Sequence, residues 1–387
     1  MASSIEAIEK LRQTWELWSH HPQTDFEYYL HRLRTDSTIV SPCVLMVCEA
    51  DIPQAILVGQ IRKLRLSATV SFVKVHGPEA RVLEIANGGR MGKKSDVIDG
   101  LLAMQLYRTA KCQGVDLALL QRLSLRSELF RALRQMGGMF NHLRVPDNFS
   151  YSIVQLTAPH GSRVPVFSGK NLRETRRKTR ILQRAFPDGM RVRCFSVPNE
   201  LEEGLRDATA ISATTWQSYL GQDFLSDGKT SNTLNFIASH GSLRVYVMYI
   251  NDEPGAFLIG QLYKEKFYCL YAGYNPAFTK FSVGSLLTAW VLTNLATADV
   301  QEVDLGEGDQ EHNRRLGCHS QQEGTVHVYF PTLRGLRLNA FFTVAQIIRA
   351  MGRKTITELR LNRLRKAWPQ ILISRWRARN RMSDLCS

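Results

Sequence analysis

Between residues 243 and 274 the apolar positions fall into three short runs, Leu243–Ile250, Gly255–Leu262 and Phe267–Tyr274, separated by polar turns. Runs of this length, rich in β-branched and aromatic residues, predict a meander of antiparallel strands. Asn251-Asp252-Glu253-Pro254-Gly255 makes the first turn. The pattern then lengthens. A small-residue turn, Phe281-Ser282-Val283-Gly284-Ser285, leads to a helix over Leu286–Ala296. A short strand follows and ends in the acidic glycine loop Asp304-Leu305-Gly306-Glu307-Gly308-Asp309. Upstream of the meander, the spacing predicts a basic helix over Ser168–Phe186, a strand at Arg191–Val197, a helix over Asn199–Leu220 carrying Trp216, and another at Thr230–His240.

The first part of the chain shows a looser version of the same order. One helix is expected over Ser4–His20, with Trp15 and Trp18 on one side, and a second over Asp25–Leu33. Cys43–Cys48 and Ile56–Ile61 read as adjacent strands with Asp51-Ile52-Pro53 at their turn. Then come a strand at Ala80–Ile85, a glycine-rich turn over Asn87–Gly92, a helix over Ser95–Gly114, a strand at Asp116–Leu120 and a helix over Ser127–Gln135. Helices alternate with strands, so the class is α/β, in the sense of α+β with mixed sheets. The expected domains are 1–155 and 163–332. After Pro331 the apolar positions Leu333, Leu336, Leu338, Phe341, Phe342, Val344, Ile347, Ile348 and Met351 recur at near-helical spacing, so residues 333–387 read as a basic amphipathic helical extension, interrupted at Pro369.

Composition narrows the class. A 44% hydrophobic fraction is ordinary for a globular protein, and no apolar run reaches the roughly 18 residues of a membrane span. Seven cysteines, an odd number scattered along the chain, fit reduced thiols better than a disulfide framework. Met1–Lys10 lacks a basic start followed by an apolar core. The expectation is a cytoplasmic protein. The net charge of +15 is concentrated in two places, +7 over Lys170–Arg193 and +11 over Leu333–Ser387, leaving −3 elsewhere. Two local anionic contacts fit this better than general coating of nucleic acid.

Phe281–Ser285 holds the candidate chemistry. A helix start presents unpaired N–H groups and about half a positive charge, so small residues there let a phosphate approach the backbone; an ordinary capped helix is the plain alternative. Lys170, Arg173, Arg176, Arg177 and Arg180 lie along one basic helix, the arginines at i, i+3, i+4, i+7 spacing. That stripe suits a phosphorylated or uronic substrate or a lipid-linked diphosphate, with a solvated face as the equal alternative. Gly88–Ser95 has only a superficial P-loop outline, because Asn87 stands at the first glycine position. His20-His21, Cys43 and Cys48 lack metal-ligand spacing, so no metal is expected.

Several of these segments resemble the CelD/BcsL-type acyltransferases associated with cellulose and exopolysaccharide synthesis, a branch of the GNAT superfamily related to the Fem-type aminoacyltransferases. They are Ser168–Lys178, Phe281–Leu287 and Asp304–Asp309, together with Asn87-Gly88-Gly89, Ser95-Asp96 and Asp99. The resemblance spans roughly residues 10–330 and implies tandem GNAT-like domains, the first degenerate. The second would hold acyl-CoA, as acetyl-CoA or a longer chain. It implies cofactor contacts at Tyr271, Ala272 and Gly273, where a GNAT strand splays from its neighbour, and at Ser282, Val283, Gly284 and Ser285. Acyl transfer then needs a base, for which Glu307 and Asp309 are placed, and an acid for the departing thiolate, for which Tyr274 is placed.

The sequence departs from that family at two points. Val283 stands where the family usually has Pro, and His312-Asn313 stands where a Tyr-Lys pair is expected. His312 offers a substitute base, since an imidazole pKa of about 6.5 suits deprotonation of an amine or hydroxyl. The implied acceptor is a glycan, a lipid or an amino sugar. Residues 333–387 are the expected contact to an anionic membrane surface, at the inner face of the plasma membrane, or to a polysaccharide synthase; helices docked on the body are the alternative. Two other functions stay open: Fem-like transfer from charged tRNA, and a catalytically inactive scaffold of a polysaccharide synthase.

Overall fold

The computed structural model describes residues 1–70, 73–136, 142–157, 169–187, 189–214, 228–307 and 319–358. They form two compact units. Of the described residues, unit 1 contains those of Met1–Phe149 and 322–358, and unit 2 those of Ser150–Gln321.

Unit 1 opens with α1 (Ile5–Glu9), α2 (Arg12–Trp18) and α3 (Phe26–Thr35). The single helix expected over Ser4–His20 is broken at Lys10-Leu11, and the break sends Ile8, Leu11 and Trp15 into one core with Phe26, Tyr29 and Leu30. Strands β1 (Ile39–Glu49), β2 (Ile52–Val70) and β3 (Val73–Gly92) form an antiparallel meander. Helix α4 (Asp96–Cys112) returns the chain to β4 (Leu117–Ser124), parallel to β3, and α5 (Glu128–Met136) follows. The glycine-rich turn expected at Asn87–Gly92 is instead the end of β3, paired with Ala55–Leu57 through a bulge. The glycines serve close packing: a Cβ on Gly89 would lie 2.8 Å from the Val58 carbonyl oxygen.

In unit 2, α6 (Gly169–Ala185) precedes β6 (Met190–Phe195), α7 (Pro198–Ala213) and α8 (Gly228–Ser239). The expected meander follows as β7 (Leu243–Ile250), β8 (Glu253–Tyr263) and β9 (Lys266–Tyr274). Helix α9 (Val283–Thr297) then leads to β10 (Glu302–Glu307), parallel to β9. Helices α6 and α9 cover one face of this sheet through Leu182, Val283, Leu286 and Leu287. Helices α7 and α8 cover the other through Leu201, Ala208, Ile211 and Leu234.

The two units repeat one another. Both first hairpins turn on two left-handed residues, Ala50-Asp51 and Asn251-Asp252, the geometry that matches strand twist. Both bulge at the same step, where Cys48 faces Pro53 and Tyr249 faces Pro254. The repeat is visible in the residues too: Asp51–Ile61 and Asp252–Leu262 agree at six of eleven positions, Asp, Pro, Ala, Leu, Gly and Gln.

Two strands not foreseen from the pattern complete the sheets, and each comes from the other half of the sequence. β11 (His319–Tyr329) pairs antiparallel with β4 in unit 1, although residues 319–332 were expected in the second domain. The Tyr151–Gln155 end of β5 (His142–Gln155) pairs antiparallel with β10 in unit 2. The final helix, α10 (Leu333–Glu358), is not a separate extension over its described length. It belongs to unit 1, where Leu338 and Phe342 pack on Ala80, Val82, Leu117 and Tyr329. Gly335 allows that approach, because a Cβ there would lie 2.2 Å from the Phe330 carbonyl oxygen. The expected helical segment beyond Glu358 lies outside the described residues.

Candidate active site

Strand β9 has two edges, and they end at different points. Its pairing with β8 runs to Tyr274, opposite Ala256. Its parallel pairing with β10 runs through Tyr268, opposite Asp304, and among the described residues goes no further. Beyond that pair β9 is paired with β8 alone among the described residues, over the stretch that contains Tyr271, Ala272 and Gly273. A bulge in the β8 pairing leaves Leu270 as an extra residue, so Leu270 and Tyr271 both pack toward the α7 and α8 face. Ala272 is exposed and Tyr271 half-buried. Gly273 has a packing reason of its own, since a Cβ there would come within 2.6 Å of Phe257 Cε1.

The chain then forms a short 3-10 turn, Pro276–Phe281, and enters α9 through Ser282, which is left-handed at φ 56° and lends no side-chain cap to the helix. The first intrahelical bond runs from Leu286 N–H to the Ser282 carbonyl, at 3.1 Å. Val283 and Gly284 come before that bond, at positions where a helix start leaves backbone N–H groups without intrahelical acceptors, while Ser282 N–H donates to the Thr279 carbonyl. No acidic residue stands in the first turn of α9. The side chain of Val283 is fully buried in the core, so only its backbone can meet a ligand. Gly284 is covered by Tyr274: a Cβ on Gly284 would lie 3.3 Å from Tyr274 Cδ1. The exposed Tyr274 at the end of β9 thus has its ring beside the helix start.

The basic helix converges on the same place. Phe186, just past the end of α6, packs edge-on against Phe281 at 5.3 Å and Phe278 at 6.2 Å. Lys280 lies over the Phe281 ring at 4.9 Å, two residues before Ser282. Along α6 itself, Lys170, Arg173, Arg176 and Arg177 are exposed. Their partners differ. Arg177 is held by Glu174 in a two-pronged contact of 2.8 and 2.9 Å, and Arg173 donates to the Gly169 carbonyl. The stripe is a solvated face along much of its length, and what reaches toward α9 is its C-terminal end.

Of the candidate bases, Glu307 ends β10 opposite Tyr151, while Asp309 and His312 lie outside the described residues, as does Trp216. An acid not singled out from the sequence is Asp304. It is buried at the last β9–β10 pair, and its Oδ1 accepts from Gly306 N–H at 2.7 Å, with Gly306 at φ 71°. The signal was an acid between Val303 and Leu305 in an apolar strand. Beside it, burial and then the Asp304 charge push the Cys269 thiol up to about 12, leaving an inert side chain. Among the described residues no group of three His, Cys, Asp or Glu is placed to hold a metal, and no helix is long and apolar enough to cross a membrane.

Residues 169–314 match a family described as an acetyltransferase (GNAT) domain, a stretch within which α6, the meander, α9 and β10 all fall. No curated protein matches the sequence. Among solved structures, FemX is similar with a TM-score of 0.53 at 10% identity, over 85% of this chain and 97% of that one. A tandem GNAT protein from the clavulanic acid biosynthesis pathway aligns with a TM-score of 0.44 at 11% identity, over 84% and 94%. L-PGS from Bacillus licheniformis aligns with a TM-score of 0.46 at 13% identity, over 79% and 89%. The FemX likeness is one of fold.

Proposed function

We propose that this protein is an acyl-CoA-dependent acyltransferase. In this reading unit 2 holds the donor at the start of α9 and passes its acyl group to an amine or hydroxyl of a glycan, lipid or amino-sugar acceptor in polysaccharide or cell-envelope synthesis. The observation that carries the reading is the start of α9: no side-chain cap, no acid in the first turn, glycine at 284, and Tyr274 against that glycine at the open end of β9. The donor's pyrophosphate would take the backbone N–H groups of that turn. Its thioester would lie along the opening between β9 and β10, where backbone N–H groups near Tyr271–Gly273 meet the carbonyl oxygen. The acceptor's nitrogen or oxygen attacks the carbonyl carbon, the C–S bond breaks, and Tyr274 supplies the proton that the thiolate takes. Glu307, Asp309 and His312 are the proposed bases for the acceptor's proton, directly or through water. Lys170, Arg173 and Arg176 are proposed to attract the anionic part of a substrate, with Arg177 already engaged by Glu174.

Titration calorimetry with coenzyme A, acetyl-CoA and a long-chain acyl-CoA tests this. Binding of at least one is expected, and Gly284→Trp should weaken it by ~100-fold or more, about 2.7 kcal/mol, with the thermal midpoint of the fold retained. Absence of binding to all three sinks the reading. Protection of charged tRNA would then favour aminoacyl transfer, and binding of neither would favour a scaffold of a polysaccharide synthase.

A further inference from the structure

Helix α10 is apolar on two faces, and unit 1 uses one of them. Leu338 is fully buried, Ala345 is buried, and Phe342 packs against the Tyr329 ring at 6.4 Å and the His327 ring at 5.9 Å. On the other side Leu333, Leu336, Val344, Ile347 and Ile348 are 67%, 48%, 56%, 52% and 47% exposed. With the exposed Ala340, these positions fall within an arc of roughly 120° on a helix of 3.6 residues per turn, turned well away from Leu338 and Ala345. A helix docked by one face ordinarily carries polar residues on its outer face. This one carries a second apolar stripe, and no described residue covers it.

The charges indicate what does. Arg337 is exposed within that arc, between Val344 and Ile348, Arg334 is exposed just beyond its edge, and between Leu333 and Thr357 there is no acidic residue. From Leu333 to Ser387 thirteen basic residues stand against two acidic ones. A protein groove specific for this helix would be expected to use charges of both signs for register. Apolar side chains flanked by cations alone fit a surface that is apolar within and negative at its face, which is an anionic lipid layer. We propose that α10 is an in-plane membrane anchor: Leu333, Leu336, Val344, Ile347 and Ile348 enter the lipid headgroup boundary, and Arg334 and Arg337 meet the lipid phosphates. The helix lies on the surface and does not span it. This inference is independent of the donor site in unit 2.

Co-sedimentation of the full chain with vesicles provides the test. Partitioning onto phosphatidylcholine vesicles containing phosphatidylglycerol should exceed that onto phosphatidylcholine alone by about tenfold or more. Val344→Glu with Ile347→Glu should abolish it, and Arg334→Ala with Arg337→Ala should lower it by about an order of magnitude. All four positions are exposed, or flank the exposed stripe, so the thermal midpoint and any acetyl-CoA affinity should be unchanged. Three results overturn the proposal. One is no preference for the anionic vesicles. A second is binding that survives the glutamate pair, which would assign it to the basic sequence after Glu358 alone. The third is a dimer seen by light scattering that Ile347→Glu converts to monomer, which would make a second copy of the chain the occupant.

Discussion

Helices α4 and α9 each follow a three-strand meander with the same turn and the same bulge, yet their first turns present opposite chemistry. In unit 1 the cap Ser95 accepts from Ile98 N–H at 3.2 Å, and Asp96 and Asp99 stand in the first turn. Asp99 is buried and paired with Arg90 Nε at 2.5 Å, while the same guanidinium donates to the Met91 and Lys93 carbonyls. Cap, acids and arginine together fill and neutralise the helix start, so a phosphate would meet negative charge and a side chain. In unit 2 Ser282 gives no cap bond, no acid is present, and the nearest side chain is the Tyr274 phenol. The difference teaches that a duplicated fold need not be a duplicated site: the helix dipole is common to both units, and what surrounds its end decides whether an anion can use it.

The sheets differ in the same sense. Register places Gln60 opposite Glu84 in unit 1 and Gln261 opposite Tyr268 in unit 2. Glu84 is buried and takes bonds from Gln60 at 2.8 Å, Gln121 at 2.6 Å and Arg62 at 2.6 Å, with Arg32 at 3.5 Å. Burial alone would push its carboxyl up, but Arg62 and Arg32 with Gln60 hold it below the ordinary range. A carboxylate so fully engaged is a structural part of unit 1, not a base. The largest effect that can break this comparison is Glu84→Ala, which leaves Arg62 with Asp36 at 2.8 Å as its remaining carboxylate but deprives the Gln60 and Gln121 amides of their acceptor; it should cost about 3 kcal/mol in urea unfolding while leaving acetyl-CoA affinity intact. Loss of that affinity at unchanged stability would reverse the roles assigned to the two units.

The next effect concerns the exchanged strands. His327 on β11 occupies the place that Ile153 takes on β5, judged by the pairing of Val328 with Ala118 and of Val154 with Val303. Burial, with Arg144 adding to it, lowers His327 from 6.5 to about 4. A depressed folded pKa means that the unfolded chain binds the proton first. Stability is therefore full above about 6.5, falls as pH drops toward about 4, and changes no further from this group below that. The shift is on the order of 3 kcal/mol over that window. His327→Gln should remove most of the slope in urea midpoints measured between neutral and acid pH. An unchanged slope would place the acid sensitivity elsewhere.

What the sequence revealed about this molecule follows physical range. The meander of unit 2 was legible because its apolar runs and its Asn251-Asp252 turn are local signals, and the helix start at Ser95 was legible for the same reason, whereas α9 begins at Val283, inside the turn expected over Phe281–Ser285. The pairing of β11 with β4 and of β5 with β10 was not, because nothing in a strand's own residues names a partner some 150 to 200 positions away. Asn87–Gly92 looked like a turn because glycine is a turn residue, whereas here glycine clears the Val58 carbonyl inside a sheet. Near the candidate site the strand end at Tyr274 was legible as a local signal, whereas the packing reason for Gly273, its contact with Phe257, is tertiary and was not. The closeness of Phe186 to Phe281, which brings the basic helix to the turn before α9, is tertiary and had no local signature.

The smallest effect bears on the opening contrast most directly, because it compares the two caps by the same substitution. Ser95→Ala removes the bond to Ile98 N–H and leaves a first-turn donor unsatisfied, which should cost about 1 kcal/mol. Ser282→Ala removes no cap bond, and the alanine inherits the same left-handed backbone, so the change should stay within a few tenths of a kcal/mol. Ser282→Gly should be neutral to slightly stabilising, because glycine adopts φ near 56° without the steric cost that serine carries there. Paired urea titrations of the three variants measure this, and the ranking matters more than the values. If Ser282→Ala costs as much as Ser95→Ala, then α9 is capped as α4 is. The contrast between the two helix starts, and with it the proposal that unit 2 binds the donor, would then rest on charge alone.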